Sequence, residues 1–247
     1  MSDIRLEVKN IAKHFGITKA LKGVSFNIAK GEVHALIGEN GSGKSTLTNM
    51  LTGIYSLESG QFILDGTEIH PKNQVDANNL GISIIVQELG TLSGLTVAEN
   101  IFLGHEDRFI TYGFRNTRAM NQAAKKLLTD YGFTHIKPHL LVDEYNFEDR
   151  KLIEIVKATY FKPKIVVVDE TTTALSQEGR EELYKQMERI RNEGNTVIFI
   201  SHDLQEILDK SDTITILRDG TYIDTVKSKD VLFSTLKHFT LSLLKAI

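Results

Sequence analysis

The chain has 247 residues, 41% of them hydrophobic and 25% charged, with a net charge of −3 and no cysteine. Such a composition is that of a globular chain with ample material for a buried core, in one large domain or two small ones. It excludes a disulfide framework, a thiolate metal site and a cysteine nucleophile, and without a long basic run it makes no electrostatic case for nucleic-acid binding. The absence of cysteine fits a reducing compartment. The start, MSDIRLEVKN, has no apolar signal core, and no apolar run approaches the roughly 20 residues of a membrane-spanning helix. A role at a membrane would be that of a guest.

In chain order, IRLEVKN alternates at Ile4, Leu6 and Val8 and predicts a half-buried strand. GVSFNIAKGEVHALIG holds two short apolar runs around a turn at Lys30-Gly31. The second run, VHALI, leads directly into GENGSGKST, residues 38–46, and then TLTNMLTG. This satisfies G-x-x-x-x-G-K-[ST] between a strand and a helix, the setting in which the motif carries meaning. Gly38, Gly41 and Gly43 let the backbone of Glu39, Asn40 and Ser42 curl so that successive N–H groups face one anion. The helix beginning near Lys44 adds its positive end. Lys44 suits the β- and γ-phosphates, and Ser45, followed by Thr46, suits Mg²⁺. A glycine-rich turn before a helix is the bland alternative. The loop indicates a nucleoside triphosphate with Mg²⁺, but not what the energy is for.

ISIIVQ predicts a strand ending at Gln87. The stretch from Leu95 to about Tyr160 reads as helical, with Met120, Ala123, Ala124, Leu127, Leu128 and Tyr131 on one apolar face. Strands and helices then alternate: KIVVVD, a polar helix over Glu178–Asn192, TVIFIS, a short helix from Leu204, and TITIL. That alternation predicts an α/β fold with a mainly parallel sheet covered by helices. IVVV at 165–168 is apolar throughout, as a strand covered on both sides should be. Asp169 and Glu170 follow at its end, the edge where open parallel sheets carry ligands. Asp169 suits holding Mg²⁺, and Glu170 suits orienting and deprotonating a water. Two acids capping a turn is the alternative. His202 ends TVIFIS at the same edge; taken singly, it and Gln87 also read as polar strand termini. The C-terminal SKDVLFSTLKHFTLSLLKAI is amphipathic in parts and reads as a helix packed on its own domain rather than a membrane anchor.

GENGSGKST, IIVQE, IVVVDE and ISHD, in this order and spacing, resemble the ATP-binding cassette of ABC transporters over essentially the whole chain. QELGTLSGLTVAENIFLG, residues 87–104, resembles more narrowly the cassettes of bacterial monosaccharide importers of the ribose, xylose and galactose type. The resemblance implies a P-loop NTPase core of RecA-like parallel sheet, an N-terminal antiparallel β subdomain and an inserted helical subdomain at about 95–160, all one domain over 1–247. It implies ATP and Mg²⁺ as cofactors. It also implies Gln87 as a residue touching Mg²⁺ and the water, Glu170 as catalytic base and His202 as the switch on the γ-phosphate. Phe15, in KHFGITKAL, falls where the family stacks an aromatic on adenine; packing beside the N-terminal strand is its alternative. Two departures stand out: Thr171 replaces the usual proline after the glutamate, and Ser176 the general family's aspartate after the leucine.

Such cassettes pair head to tail, each nucleotide lying between one phosphate loop and the partner's Leu-Ser-Gly-Gly-Gln-like signature. Anchoring on EIVKA at 154–158 assigns YNFED, residues 145–149, to that signature. Asn146 is then a helix N-cap, with Glu148 and Asp149 in the first turn, where acids already satisfy the helix dipole. A carboxylate brought against a γ-phosphate adds repulsion of about 4 kcal/mol per unit-charge pair at 4 Å in a screened protein setting. LSGL at 92–95 looks like half a signature but reads as a turn. The expectation is an asymmetric pair with a second, non-identical cassette. Integral membrane permease subunits and, indirectly, an extracytoplasmic sugar-binding protein complete it at the cytoplasmic face of the membrane. A non-transport cassette acting as a nucleotide-dependent switch is the rival reading, and a P-loop small-molecule kinase leaves Gln87 and His202 unexplained.

Overall fold

The computed structural model describes residues 4–86 and 88–233. Gln87 and the C-terminal stretch from residue 234, the larger part of the predicted packing helix, lie outside the described residues.

The alternation of IRLEVKN extends into a twelve-residue strand, β1 (Ile4–Phe15), with Leu6, Val8 and Ile11 all buried. It runs antiparallel to β2 (Thr18–Ala29), in a register from Ile4 opposite Ala29 to Phe15 opposite Thr18. β4 (Ser59–Leu64) and β5 (Thr67–Ile69) complete a four-stranded antiparallel sheet in the order β2-β1-β4-β5.

The second sheet comprises β3 (Val33–Ile37), β6 (Ile82–Ile85), β9 (Ile165–Asp169), β10 (Thr196–Ile200), β11 (Thr213–Arg218) and β12 (Thr221–Lys227), in the order β12-β11-β3-β10-β9-β6. All its pairings are parallel except that of β12 with β11. Both faces are covered, which is why β3 and β10 are buried at every position. On one face α1 (Lys44–Leu51) packs Leu47, Met50 and Leu51 into a core shared with Leu6, Val8 and Phe62 of the antiparallel sheet and Leu36, Val167 and Ile198 of the parallel one. On the other, α6 (Gln177–Asn192) and α7 (Leu204–Lys210) set Leu183, Met187, Ile190 and Ile207 against Ala35, Val166, Val168 and Phe199. Each such buried aliphatic side chain contributes roughly 1.5–3 kcal/mol of hydrophobic stabilisation.

A further helical cluster lies beyond α2 (Gln74–Leu80) and holds α3 (Val97–Ile101), α4 (Thr117–Asp130) and α5 (Phe147–Thr159). The predicted apolar face of α4 is present: Met120, Ala124 and Leu128 are buried with Val97, Ile101, Ile153 and Val156, while Ala123, Leu127 and Tyr131 lean on that core. The stretch from Leu95 to about Tyr160, which reads as helical, is helical only in part. A small hairpin, β7 (Ile110–Thr111) and β8 (Phe114–Arg115), interrupts it, and an irregular run separates α4 from α5. Tyr112 and Gly113 both take positive φ, 52° and 80°, which suits a two-residue hairpin turn and cannot continue a helix. Gly132, also at positive φ, and Pro138 break the chain after α4. Among the described residues no helix is long and apolar enough to cross a membrane.

Candidate functional site

The phosphate loop leaves β3 at Ile37 and enters α1 at Lys44. Two of its glycines are sterically required. A Cβ on Gly38 would lie 2.2 Å from the Leu217 carbonyl oxygen, and one on Gly43 would lie 2.5 Å from the Leu21 side chain. Gly41 has open space but φ of +82°, the left-handed region. The loop is braced from outside, because Gly220 N donates to Ser42 O at 3.2 Å and Lys22 N to Gly220 O at 2.8 Å. Glu39, Asn40, Gly41 and Ser45 are exposed and Thr46 is half-buried. Lys44, 5% exposed, donates from Nζ to the carbonyls of Gly38 at 2.7 Å and Glu39 at 3.2 Å. Burial pulls the Lys44 pKa down, against the opposing pull of Glu170 and Asp169.

Asp169 and Glu170 sit at the C-terminal end of β9, beside β10 and one strand removed from β3. The Oδ1 atom of Asp169 is buried without a hydrogen-bond partner. Burial and the adjacent Glu170 carboxylate push the Asp169 pKa up to about 6, while Lys44 and His202 draw it down. A buried carboxylate oxygen without a partner is a donor that a hard divalent cation satisfies, and Ser45, exposed at the start of α1, would add a hydroxyl oxygen. Among the described residues no group of three or more His, Cys, Asp or Glu side chains is clustered as for a metal held by protein alone. The donor set therefore fits Mg²⁺ shared with phosphates and water.

Glu170 is held in the left-handed region at φ 46°, its amide donating to Ile200 O at 3.0 Å across to β10. A glutamate in that conformation stores strain of order 1 kcal/mol. The consequence is a side chain that meets His202, which follows β10: His202 Nε2 stands 2.8 Å from Glu170 Oε1. Thr171 accounts for the missing proline, since it is fully buried and its hydroxyl donates to Asp169 O at 3.1 Å, fixing the turn by a hydrogen bond instead of a ring. The site residues on β9 and β10 and in the loop after β3 thus share one sheet edge. Gln87 follows β6, the edge strand of this sheet, two residues on in sequence and lies outside the described residues.

Phe15 ends β1 and is 43% exposed, with its ring edge-on to Tyr55 at 5.3 Å and the Lys13 ammonium 5.7 Å from its centroid. It belongs to the same hairpin as Ala20 and Leu21, the residues that pack against Gly43. The ring is accessible and reaches only part of the way to packing; an edge-held, exposed aromatic can still stack a planar ligand.

The segment YNFED opens α5 as the spacing suggests. Asn146 is the N-cap, its Oδ1 accepting from Asp149 N at 2.8 Å, and Glu148 and Asp149 fall in the first turn. The acids, however, do not simply serve their own helix dipole. Glu148 Oε1 accepts from Ser176 N at 2.7 Å, at the start of α6, and Asp149 pairs with His135 at 2.7 Å. Residues 92–95 form a turn, and Arg150 of α5 donates to Thr91 Oγ1 and Ser93 Oγ beside it.

Two constellations escaped the sequence reading. Buried Glu206 accepts hydrogen bonds from Thr172 at 3.0 Å and from Ser201 and Tyr184, joining the turn after Glu170 to the residue before His202. Lys151, Glu154 and Lys157 form a charged stripe on α5 that hydrogen-bonds the backbone of Val86, Glu88 and Gly90. The only signal for the stripe was charge recurring at every third residue amid the apolar positions of KLIEIVKA.

A family model described as ABC transporter matches residues 21–173. The chain is 43% identical over 220 residues to a ribose import ATP-binding protein of Bacillus cereus, covering 89% of this chain and 44% of that protein. A ribose import ATP-binding protein of Clostridium tetani is 41% identical over 225 residues, covering 91% of this chain and 44% of its own length. The chain thus spans a little under half the length of the curated relatives it matches. A solved nucleotide-free ATP-binding cassette from an ABC transporter superposes with a TM-score of 0.81 at 25% identity, over 98% of both chains.

Proposed function

Because this chain belongs to the ABC transporter family, we propose that it is the ATP-binding and ATP-hydrolysing part of a membrane importer whose cargo is a monosaccharide, on the model of the ribose import proteins it resembles. The observation that carries the enzymatic reading is the meeting of the Glu170 carboxylate with His202 at 2.8 Å on the sheet edge that also bears Asp169 and leads into the Lys44 loop.

In this reading the amides of residues 38–46 cradle the polyphosphate. The Lys44 ammonium exchanges the carbonyls of Gly38 and Glu39 for the β- and γ-phosphates. Ser45 and Asp169, with Gln87, would hold Mg²⁺, which when bound neutralises phosphate charge. Glu170 orients the attacking water and takes its proton, His202 steadies the γ-phosphate, and Phe15 stacks on adenine. The whole of 1–247 acts as one cassette.

None of residues 145–149 is a glycine, and the acids among them are already bonded to Ser176 and His135. The first turn of α5 is a poor grip for a partner's phosphate. A second, non-identical cassette with a working signature would complete this chain's site. The pair would sit on permease subunits at the cytoplasmic face of the membrane, fed by an extracytoplasmic sugar-binding protein.

The test is affinity purification of the tagged chain from detergent-solubilised cells that produce it naturally. The protein should co-purify with a polytopic membrane protein and a second cassette, and the complex should hydrolyse ATP in a Glu170-dependent way. Purification with a soluble partner only, without membrane recruitment, would replace transport with a nucleotide-dependent switch.

A further inference from the structure

Glu206 lies in the first turn of α7 and is buried, as are Thr172 and Ser201. Its two carboxylate oxygens divide their partners. Oε2 accepts from the Thr172 hydroxyl at 3.0 Å and from the Ser201 hydroxyl, while Oε1 accepts from Tyr184 of α6. Thr172 is the second residue after Glu170, and Ser201 immediately precedes His202. One carboxylate oxygen therefore bridges the two segments that bring Glu170 and His202 together. The Ser201 oxygen also accepts from Asp203 N at 3.1 Å, and Asp203 Oδ1 from Glu206 N at 3.2 Å, closing a ring of hydrogen bonds around the backbone of His202.

A buried carboxylate is a poor choice for mere filling. Its desolvation offsets much of what its hydrogen bonds return, and apolar side chains of the same shape would serve stability as well. What the carboxylate adds is direction, because two hydroxyls that meet at one atom fix the separation of the backbones bearing them. Glu170 needs such a constraint. Its left-handed backbone, at φ 46°, is sparsely populated and persists only where the surroundings impose it.

We propose that Glu206 is a positioning residue of the hydrolytic site, whose Oε2 atom clamps the turn after Glu170 to the residue before His202 and so holds the carboxylate and the imidazole in register. This rests on the ATP-hydrolysing reading above. Glu206 acts through Thr172 and Ser201, not on the nucleotide itself. The clamp is a chain of two links meeting at one atom, so breaking either link releases it. Tyr184 holds the other oxygen and stands outside the chain.

The experiment is single-turnover ATP hydrolysis by the full chain in excess over nucleotide, with ATP affinity titrated directly and folding checked by thermal melts. Ser201→Ala and Thr172→Val should each slow hydrolysis about tenfold while binding ATP within about twofold of the wild type. The double variant should also be slowed only about tenfold, where two independent losses would multiply to about a hundredfold. Glu206→Gln should stay within about threefold of the wild type, since its amide oxygen still takes both hydroxyls and its NH₂ group donates to Tyr184. Tyr184→Phe should stay within about twofold, although it removes a hydrogen bond from the same carboxylate. Ser201→Ala, the smallest change, decides the matter if the larger ones do not fold. Link variants that hydrolyse at the wild-type rate, losses that multiply, or a Tyr184→Phe loss as large as that of Ser201→Ala overturn this inference alone. A wild type that binds no ATP, or whose hydrolysis survives Glu170→Gln, overturns it together with the hydrolytic reading.

Discussion

The Glu148 carboxylate accepts a hydrogen bond from the Ser176 amide at 2.7 Å, tying the first turn of α5 to the first turn of α6 across 28 residues of sequence. An acid that the proposed signature assignment sets where other cassettes use glycine serves as an anion at another helix's positive end. Ser176 itself caps α6, its Oγ accepting from Gly179 N at 3.2 Å. The repulsion expected between Glu148 and a partner's phosphate is therefore joined by a second obstacle. To vacate the site the acid must also abandon Ser176.

Glu148→Ala should lower stability by about 1 kcal/mol, the discounted value of a charge-assisted bond at a half-exposed position. The Ser176 hydrogen bonds hold the Glu148 carboxyl below the usual carboxylate range. A lowered folded pKa means that the contribution is complete above the unfolded value and is lost as pH falls through the folded one. Urea midpoints of wild type and variant should accordingly differ at neutral pH and converge in acid below the ordinary glutamate range.

Rebuilding the signature as Asn146→Ser, Phe147→Gly, Glu148→Gly and Asp149→Gln together should raise ATP turnover by the lone chain about tenfold or more, by giving identical copies a phosphate grip. The same change should cost stability, since two glycines enter the first turn of a helix and the N-terminal acids leave it. Turnover against protein concentration and thermal melts read the two effects separately.

Glu170→Gly should be more stable than Glu170→Ala by about 1 kcal/mol, because both lose the carboxylate that pairs with His202 and crowds Asp169 but only glycine relieves the left-handed backbone. It should also lower hydrolysis by a factor of about 10²–10⁴, the usual value of a positioned base. A glycine variant less active than the wild type yet more stable than the alanine variant is the signature of strain kept for function. Stability equal to or below that of Glu170→Ala would remove the strain argument.

Glu206→Leu should cost about 2–3 kcal/mol, because the hydroxyls of Thr172, Ser201 and Tyr184 all lose one acceptor. Burial, with Glu206 as acceptor and neighbouring charge, also pushes the Tyr184 hydroxyl pKa up. The variant should bring that titration down toward the ordinary tyrosine range, which absorbance at alkaline pH follows.

The parts of this molecule that were legible in its sequence are those made by neighbours in the chain. GENGSGKST declares its loop because the glycines, the lysine and the helix start are contiguous, and IVVVDE declares a covered strand and its polar end within six residues. The hairpin at 110–115 went unread because its strands are two residues each, too short to show an alternation. The contacts that escaped are long-range. Glu154 meets Val86 across 68 residues, and Thr172 meets Glu206 across 34. No local pattern tells a charged helix residue whether it faces water or a distant backbone amide.

The most direct measurement is steady-state ATP hydrolysis by the purified chain alone, over a range of protein concentrations and with Glu170→Gln as control. An account in which one polypeptide supplies the phosphate loop and an unlike companion supplies the signature predicts slow turnover that rises only in proportion to protein. Fast turnover that rises cooperatively with concentration, and disappears in the control, would contradict it.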